Sequence, residues 1–301
     1  MASFGDIMAA GGWAVFSLCC AFFMAAFALV NQYVRQPGLL IVFGMRLGVT
    51  VTMLPFALLI PWPPEPAFYI IVFCTAGFAV WGDACYLNAS AKYGGGVAAR
   101  MMPYSIWGAF LLWIPFDLGI LGRYAANPLN TAIILAALAG CVFFAQRQRK
   151  CEISRSALLD MIPFVISASV TTVLNKLAMG YGTHTGAVYG YMLFQCFCAS
   201  TLLGALLWWK HRKKALPNFD KKRLGRASLL LAGIWITSMF FKNYTMVYTP
   251  NPAYFLAITL TAPVFIALYY LVVRHKETAD VKSGMGVVAC AILLALASVR
   301  G

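Results

Sequence analysis

The sequence predicts an all-α integral membrane protein: ten transmembrane helices arranged as two inverted five-helix repeats. Three observations carry this. Hydrophobic residues make up 62% of the 301 and charged residues only 11%, against roughly 45–50% and about 25% in soluble domains. The apolar residues recur in runs of about 17 to 25, the length that crosses some 30 Å of hydrocarbon as helix. Short stretches in the first half of the chain also recur at matching places in the second, as in a duplicated membrane protein.

The spans follow in order. Residues 1–12 hold no positive n-region and no small-residue cleavage site, so the first span, 12–30, is expected to remain rather than to be removed as a signal peptide. Its run AAFALV would put apolar side chains on both faces of a strand, against the alternation of a barrel wall. The second span, 39–60, carries Arg46 in FGMRLG, and the third, 67–88, carries Asp83. Glycines 94–96 precede the fourth span, 96–116, which contains Pro103. No Gly-Lys-Ser/Thr follows these glycines and no strand precedes them, so they read as a turn rather than a phosphate loop. The fifth span is 129–145, and the sixth, 156–179, carries Lys176 near its end. In the seventh, 186–208, Cys196 and Cys198 stand two apart and so face different sides of a helix. The eighth, 227–247, carries Lys242; the ninth, 252–273, contains Pro263; the tenth is the Gly-containing 283–299.

Nine cysteines are scattered, mostly within spans, where a thiol acts as a small hydrophobe. They form no zinc spacing or disulfide framework, and no metal or cofactor is expected. The net charge of +14 and the basic stretch KHRKKALPNFDKKRLGR could suggest nucleic acid. Sidedness explains them better. The connections after the odd-numbered spans hold Arg35, Lys92, four basic residues between 147 and 155, the cluster of residues 210–226, Arg274, Lys276 and Lys282, while the other side holds only Arg123 and Arg300. Basic flanks stay cytoplasmic, so both termini are expected outside the cytoplasm and no nucleic-acid partner is expected.

LLIVFGMR (39–46) occupies the place of VYGYMLFQ (188–195), and LVNQYV (29–34) that of VLNKLA (173–178). Pro103 matches Pro263, and Trp81 then falls opposite Phe241. Two halves follow, 1–150 and 156–301. Five spans being odd, they insert with opposite orientations, the inverted-repeat plan of secondary transporters, with a site near mid-membrane between the halves.

Ten spans in about 300 residues, Arg46 inside the second and a Pro before a bulky apolar run in the fourth helix of each half resemble the drug/metabolite transporter superfamily, in its EamA-type branch. The resemblance covers nearly the whole chain and is closer in NPAYFLAITLTAPVFIALYYLVVRHKETADVKSGMGVVACAILLALAS (251–298). It implies proton-linked or exchange transport of small organic molecules, often export, through a central cavity walled by both halves. Two features differ. The family keeps both termini in the cytoplasm, and its turn after the ninth helix often begins Glu-Arg where this chain reads RHKETAD.

Ionisable groups inside spans face a bundle interior or a water-filled cavity. Asp83 lies too deep for an end-of-helix residue; it is either a structural partner of Arg100 or Lys92, or a cavity carboxylate for a cationic group or a proton. Lys242 is next to Asn243, the position matching Asp83, so the halves offer unlike charges. Arg100 lies about one turn into its span and can also snorkel. The expected substrate-binding set is Trp81, Asp83, Tyr86, Arg100, Trp107, Lys242, Tyr244 and Tyr254. Arg46 and Lys176 are also in spans, as structural or snorkelling residues. Small-xxx-small spacings, Gly44 with Gly48 and Gly186 with Gly190, denote close helix packing.

The function expected is secondary transport of a small polar metabolite, amphoteric or anionic, across a cytoplasmic (inner or plasma) membrane. Alternatives are a flippase for a lipid-linked or amphiphilic molecule on the same fold, and an integral-membrane enzyme. The last lacks support, because His184, His211 and His275 lie in different loops with no paired carboxylates or nucleophile-base spacing. A reporter active only in the cytoplasm, fused after Gly301, is expected to be silent. Strong signal there would reverse the orientation that the loop charges give.

Overall fold

The computed structural model describes residues 3–34, 37–93, 101–147, 155–212, 219–273 and 281–300. These residues are helical with short turns: α1 Trp13–Val34, α2 Gly38–Met53, α3 Pro66–Tyr93, α4 Ser105–Trp113, α5 Gly119–Ala126, α6 Pro128–Arg147, α7 Arg155–Ala178, α8 His184–His211, α9 Lys221–Tyr248, α10 Pro252–Thr259, α11 Ala262–Val272 and α12 Val281–Arg300. Among the described residues nine helices are long and apolar enough to cross a membrane. The chain is a multi-pass, all-α membrane protein.

Local chemistry sets where these helices begin and break. Side-chain oxygens cap the N-termini: Thr183 accepts from the Gly186 N–H, Asp220 from those of Lys222 and Arg223, and Asn251 from that of Ala253. Each satisfies an N–H that the helix leaves unpaired. Helical structure already starts at Phe4, so the first apolar helix runs Phe4–Val34 rather than from residue 12. It bends at Gly11, whose φ of 112° suits a residue without a Cβ.

The fourth expected span departs most from the sequence reading. Met102–Phe116 meets Gly119–Ala126 at a bend of 109°, and the two segments pass as a span only together. The cause is local: Pro115 lacks an N–H and lies in the short 3-10 turn Ile114–Phe116, after which Asp117 adopts φ −135°, ψ 76°. Arg123 Nη2 then donates to Asp117 Oδ2 at 2.6 Å, tying the two sides of the bend. Pro103 and Pro263 each start a helical segment, in the 3-10 turn Met102–Tyr104 and in α11. Glycines 94–96 and Arg100 lie outside the described residues.

Packing interleaves the two halves of the chain. The principal contacts run α1 to α9, α9 to α2, α2 to α8, α8 to α3, α3 to α7, α7 to α4, α4 to α10 and α10 back to α1. Each contact in this closed circuit joins a helix of the first half to one of the second. The helices α6 and α12 pair outside it, and α11 packs on α1 and α12.

Lipid tails are as apolar as leucine, so close contact and hydrogen bonds, not water exclusion, hold such helices together. Glycine faces serine at several crossings: a Cβ on Gly44 would meet Ser228, one on Gly82 would meet Ser167, and one on Gly108 would meet Ser169. Ser167 and Ser169 are fixed by their own bonds. Ser167 Oγ donates to the Phe78 carbonyl at 2.5 Å and Ser169 Oγ to that of Val165 at 2.8 Å. At one edge Lys92 Nζ donates to Asp160 Oδ2 at 2.9 Å, as does the Tyr93 hydroxyl at 2.7 Å. Tyr93 and Asp160 hold the Lys92 ammonium above its ordinary pKa.

Gly108→Ala is therefore expected to destabilise the protein by about 1–3 kcal/mol through overpacking against Ser169. Gly77→Ala, with nothing within 4 Å of the added carbon, is the control and is expected to be neutral or slightly stabilising. Thermal unfolding in detergent compares the two.

Candidate functional site

Four helices of the circuit converge on one guanidinium. Arg46 lies eight residues into α2, about 12 Å along the axis, and is buried, with 4% of its surface exposed. Its Nη1 donates to Gln195 Oε1 on α8 at 2.9 Å, and its Nη2 to Asp83 Oδ2 on α3 at 3.3 Å. The guanidinium carbon stands 4.9 Å from the ring centroid of Trp235 on α9, within the range of a cation–π contact.

This arrangement leaves donors unused. Arg46 Nε and Trp235 Nε1 are buried without a hydrogen-bond partner, a costly state for polar groups in an apolar interior. The Asp83 side chain is one third exposed, so the carboxylate of the pair is accessible while the guanidinium is not.

The face of α9 that meets Arg46 continues toward Lys242. Trp235, Ser238 and Lys242 are spaced i, i+3, i+7 and share that face. Ser238 Oγ lies 3.3 Å from Cys20 Sγ on α1. Lys242 has no ion-pair or hydrogen-bond partner among the described residues. The Arg46–Asp83 pair is neutral in itself, and Lys242, two helical turns along the same face of α9 from Trp235, adds one positive charge to this side of the bundle. Chemically the site can accept an anionic group at the cations and a cationic group or a proton at Asp83.

Around it runs a layer of neutral polar contacts. Asn175 Nδ2 donates to Asn243 Oδ1 at 3.1 Å, and Asn243 Nδ2 to the Val188 carbonyl at 3.2 Å. The Thr245 hydroxyl donates to the Trp13 carbonyl at 3.2 Å. Lys176 is held apart from this site by its contacts with the end of α9: its Nζ donates to the carbonyls of Met246 and Val247 at 2.7 and 3.2 Å.

Of the residues expected from sequence, Asp83 comes into this cluster, and Lys242 lies two helical turns from Trp235 on the same face of α9. Of the two structural partners expected for Asp83, Lys92 is corrected: it pairs with Asp160, and Asp83 pairs with Arg46. Trp81 is exposed and packs edge-on against Phe78; two residues along a helix turn it some 200° from Asp83. Tyr86 packs on Phe164 and Trp107 on Phe110. Tyr244 packs on Phe240, with ring centroids 4.8 Å apart. Tyr254 is buried, its hydroxyl 2.7 Å from that of Tyr124. Tyr86, Trp107 and Tyr254 are partners of other clusters, while Tyr244 packs on the same apolar core as Trp235. Arg100 lies outside the described residues.

Arg46, Gln195 and Trp235 were missing from the expected set. One signal for the first two was present: the repeat comparison sets LLIVFGMR over VYGYMLFQ, so Arg46 and Gln195 end equivalent stretches. Trp235 gave no comparable signal among so many aromatics.

No family model and no curated protein matches the chain. Among solved structures, one described only as "Crystal structure of protein" is similar at 15% identity with a TM-score of 0.66, over 96% of this chain and 98% of its own. At that identity the similarity concerns the fold alone.

Replacing Arg46 with Leu strands the Asp83 carboxylate beside apolar side chains. Because the carboxylate is partly accessible, a loss of about 1–3 kcal/mol is expected, as for a charged hydrogen bond that loses one partner, and Arg46→Leu/Asp83→Leu is expected to recover part of it. The coupling is read from unfolding of the two single variants and the double. Purely additive losses would mean that the pair contributes no interaction.

Proposed function

We propose that the chain is a secondary transporter of the EamA-type drug/metabolite class, carrying a small polar organic metabolite with an anionic group. One observation carries the reading: a buried Arg46 in mid-span, bonded to Gln195 of the other half and to a partly accessible Asp83. Ionisable residues are costly in spans and mark substrate or ion pathways. Binding between halves is the plan of inverted-repeat transporters. The packing circuit supports that plan, because its order is unchanged when α1, α2, α3 and α4 are exchanged with α7, α8, α9 and α10.

In this mechanism the cargo competes for the ion pair. A carboxylate or phosphate approaching Arg46 and Lys242 meets a buried guanidinium, a half-buried ammonium and the unused donors of Arg46 and Trp235, and an ammonium on the same molecule takes Asp83. Bonds within the protein are exchanged for bonds to cargo, so binding need not leave a charge unpaired. When cargo departs, Asp83 returns to Arg46 or takes a proton, which is the coupling route. Rocking of one half against the other then opens the site to the opposite side of a cytoplasmic membrane, in which the loop charges put both termini on the far side.

Metabolite profiles of cells carrying wild type and Asp83→Asn test the reading. The amide keeps an oxygen that can accept from Arg46, so folded protein is expected in the membrane. Compounds redistributed by wild type should be anionic or amphoteric and should lose that dependence in the variant. A purified site should also prefer such an acid to its uncharged amide analogue, and Lys242→Met should reduce the preference about tenfold, as for one partly buried charge contact. A stable Asp83→Asn protein that redistributes metabolites like wild type, or equal affinity for acid and amide, would overturn it.

A further inference from the structure

A second feature lies at the membrane-facing surface, in a groove of about 920 Å³ between α1, α9 and α11. Its floor is made of small residues: Ala25 and Ala26 on α1 and Ala227 on α9. At its deep end Phe22 and Phe265 meet edge to face, ring centroids 5.6 Å apart. At its other end Lys222, Arg223 and Arg226 line it. Below this rim the walls are apolar.

Among the described residues the charge of the rim is not cancelled. Asp220 also lines the groove, but its Oδ1 accepts from the backbone N–H groups of Lys222 and Arg223 as the cap of α9. Three cations against one carboxylate leave two positive charges. Arg223 has a further role, donating from Nη2 to the Tyr33 carbonyl at 3.4 Å; Lys222 and Arg226 are exposed at the rim and make no such bond among the described residues.

The dimensions match one kind of molecule. From Phe22 to Tyr33 the wall rises eleven residues, about 16 Å at helical rise, or roughly half of a 30 Å hydrocarbon core. Cations sit at one end and apolar walls run one leaflet deep. A soluble anion would gain nothing from these walls, and a zwitterionic lipid would leave the excess charge unanswered. We propose that the groove holds an anionic glycerophospholipid, its phosphate at Lys222 and Arg226 and an acyl chain along the alanine floor toward Phe22. This is a site distinct from Arg46, and it makes the lipid a bound component rather than cargo.

Native mass spectrometry of protein exchanged into an equimolar mixture of phosphatidylglycerol and phosphatidylcholine with identical acyl chains tests the proposal. Wild type is expected to retain phosphatidylglycerol over phosphatidylcholine by at least about fivefold, the scale of one cation near an anionic lipid. Lys222→Gln/Arg226→Gln leaves the Arg223 bond intact and should bring the ratio close to one. Lys222→Arg/Arg226→Lys keeps the charge and should keep the preference. Ala26→Trp fills the floor and should lower phosphatidylglycerol retention with the rim unchanged. A wild-type ratio near one, or a preference unaltered by both Lys222→Gln/Arg226→Gln and Ala26→Trp, would overturn it.

Discussion

A guanidinium cannot sit in mid-membrane without partners, and the architecture around Arg46 can be read as the supply of those partners. Water is unavailable, so acceptors must come from neighbouring helices. Asp83 supplies charge, Gln195 an amide oxygen and Trp235 the face of an indole. These residues come from three different helices, and none can reach Arg46 unless α3, α8 and α9 all pack near α2. The glycines and serines at the crossings allow that approach: Gly44 brings α2 against α9 at Ser228, and Gly82 brings α3 against α7 at Ser167. The small residues thus serve the charged one, by letting backbones come close enough for short side chains to meet.

The same constraint separates structural from reactive polar groups. Asn175, Asn243, Ser17 and Thr245 bond to one another or to backbone carbonyls at fixed positions, and they brace the bundle. Lys176 likewise has carbonyl partners. Around Arg46 and Lys242 the accounting is left open, with buried donors unmet and a cation without a counterion among the described residues. Other buried polar atoms also lack partners, among them Trp113 Nε1 and Ser228 Oγ; what sets this place apart is that its unmet donors flank a partly accessible carboxylate in mid-span.

Much of this fold was legible in the sequence because bilayer thickness dictates long apolar runs, and such runs are hard to mistake. The ends of α3, α6 and α7 fall within a few residues of the spans read from hydropathy. The bend after Phe116 was not legible, since Gly119–Ala126 is a short helix whose direction depends on Pro115 and the Asp117–Arg123 pair rather than on apolarity. The site was half legible. Asp83 and Lys242 announced themselves as charges in spans, but aromatic residues gave little: in Trp81 the side chain is on the other side of its helix from Asp83, and Tyr254 is bonded to Tyr124. Which face of a helix turns inward is fixed by packing, and apolar residues on all sides hide it.

The interleaved circuit has a consequence for biogenesis. Helices emerge from the ribosome in order, yet each helix of the circuit finds its main neighbours in the opposite half of the chain. The first half must therefore wait in lipid without its packing partners. Arg46 and Asp83 both belong to that half and can neutralise each other early, before Gln195 and Trp235 exist.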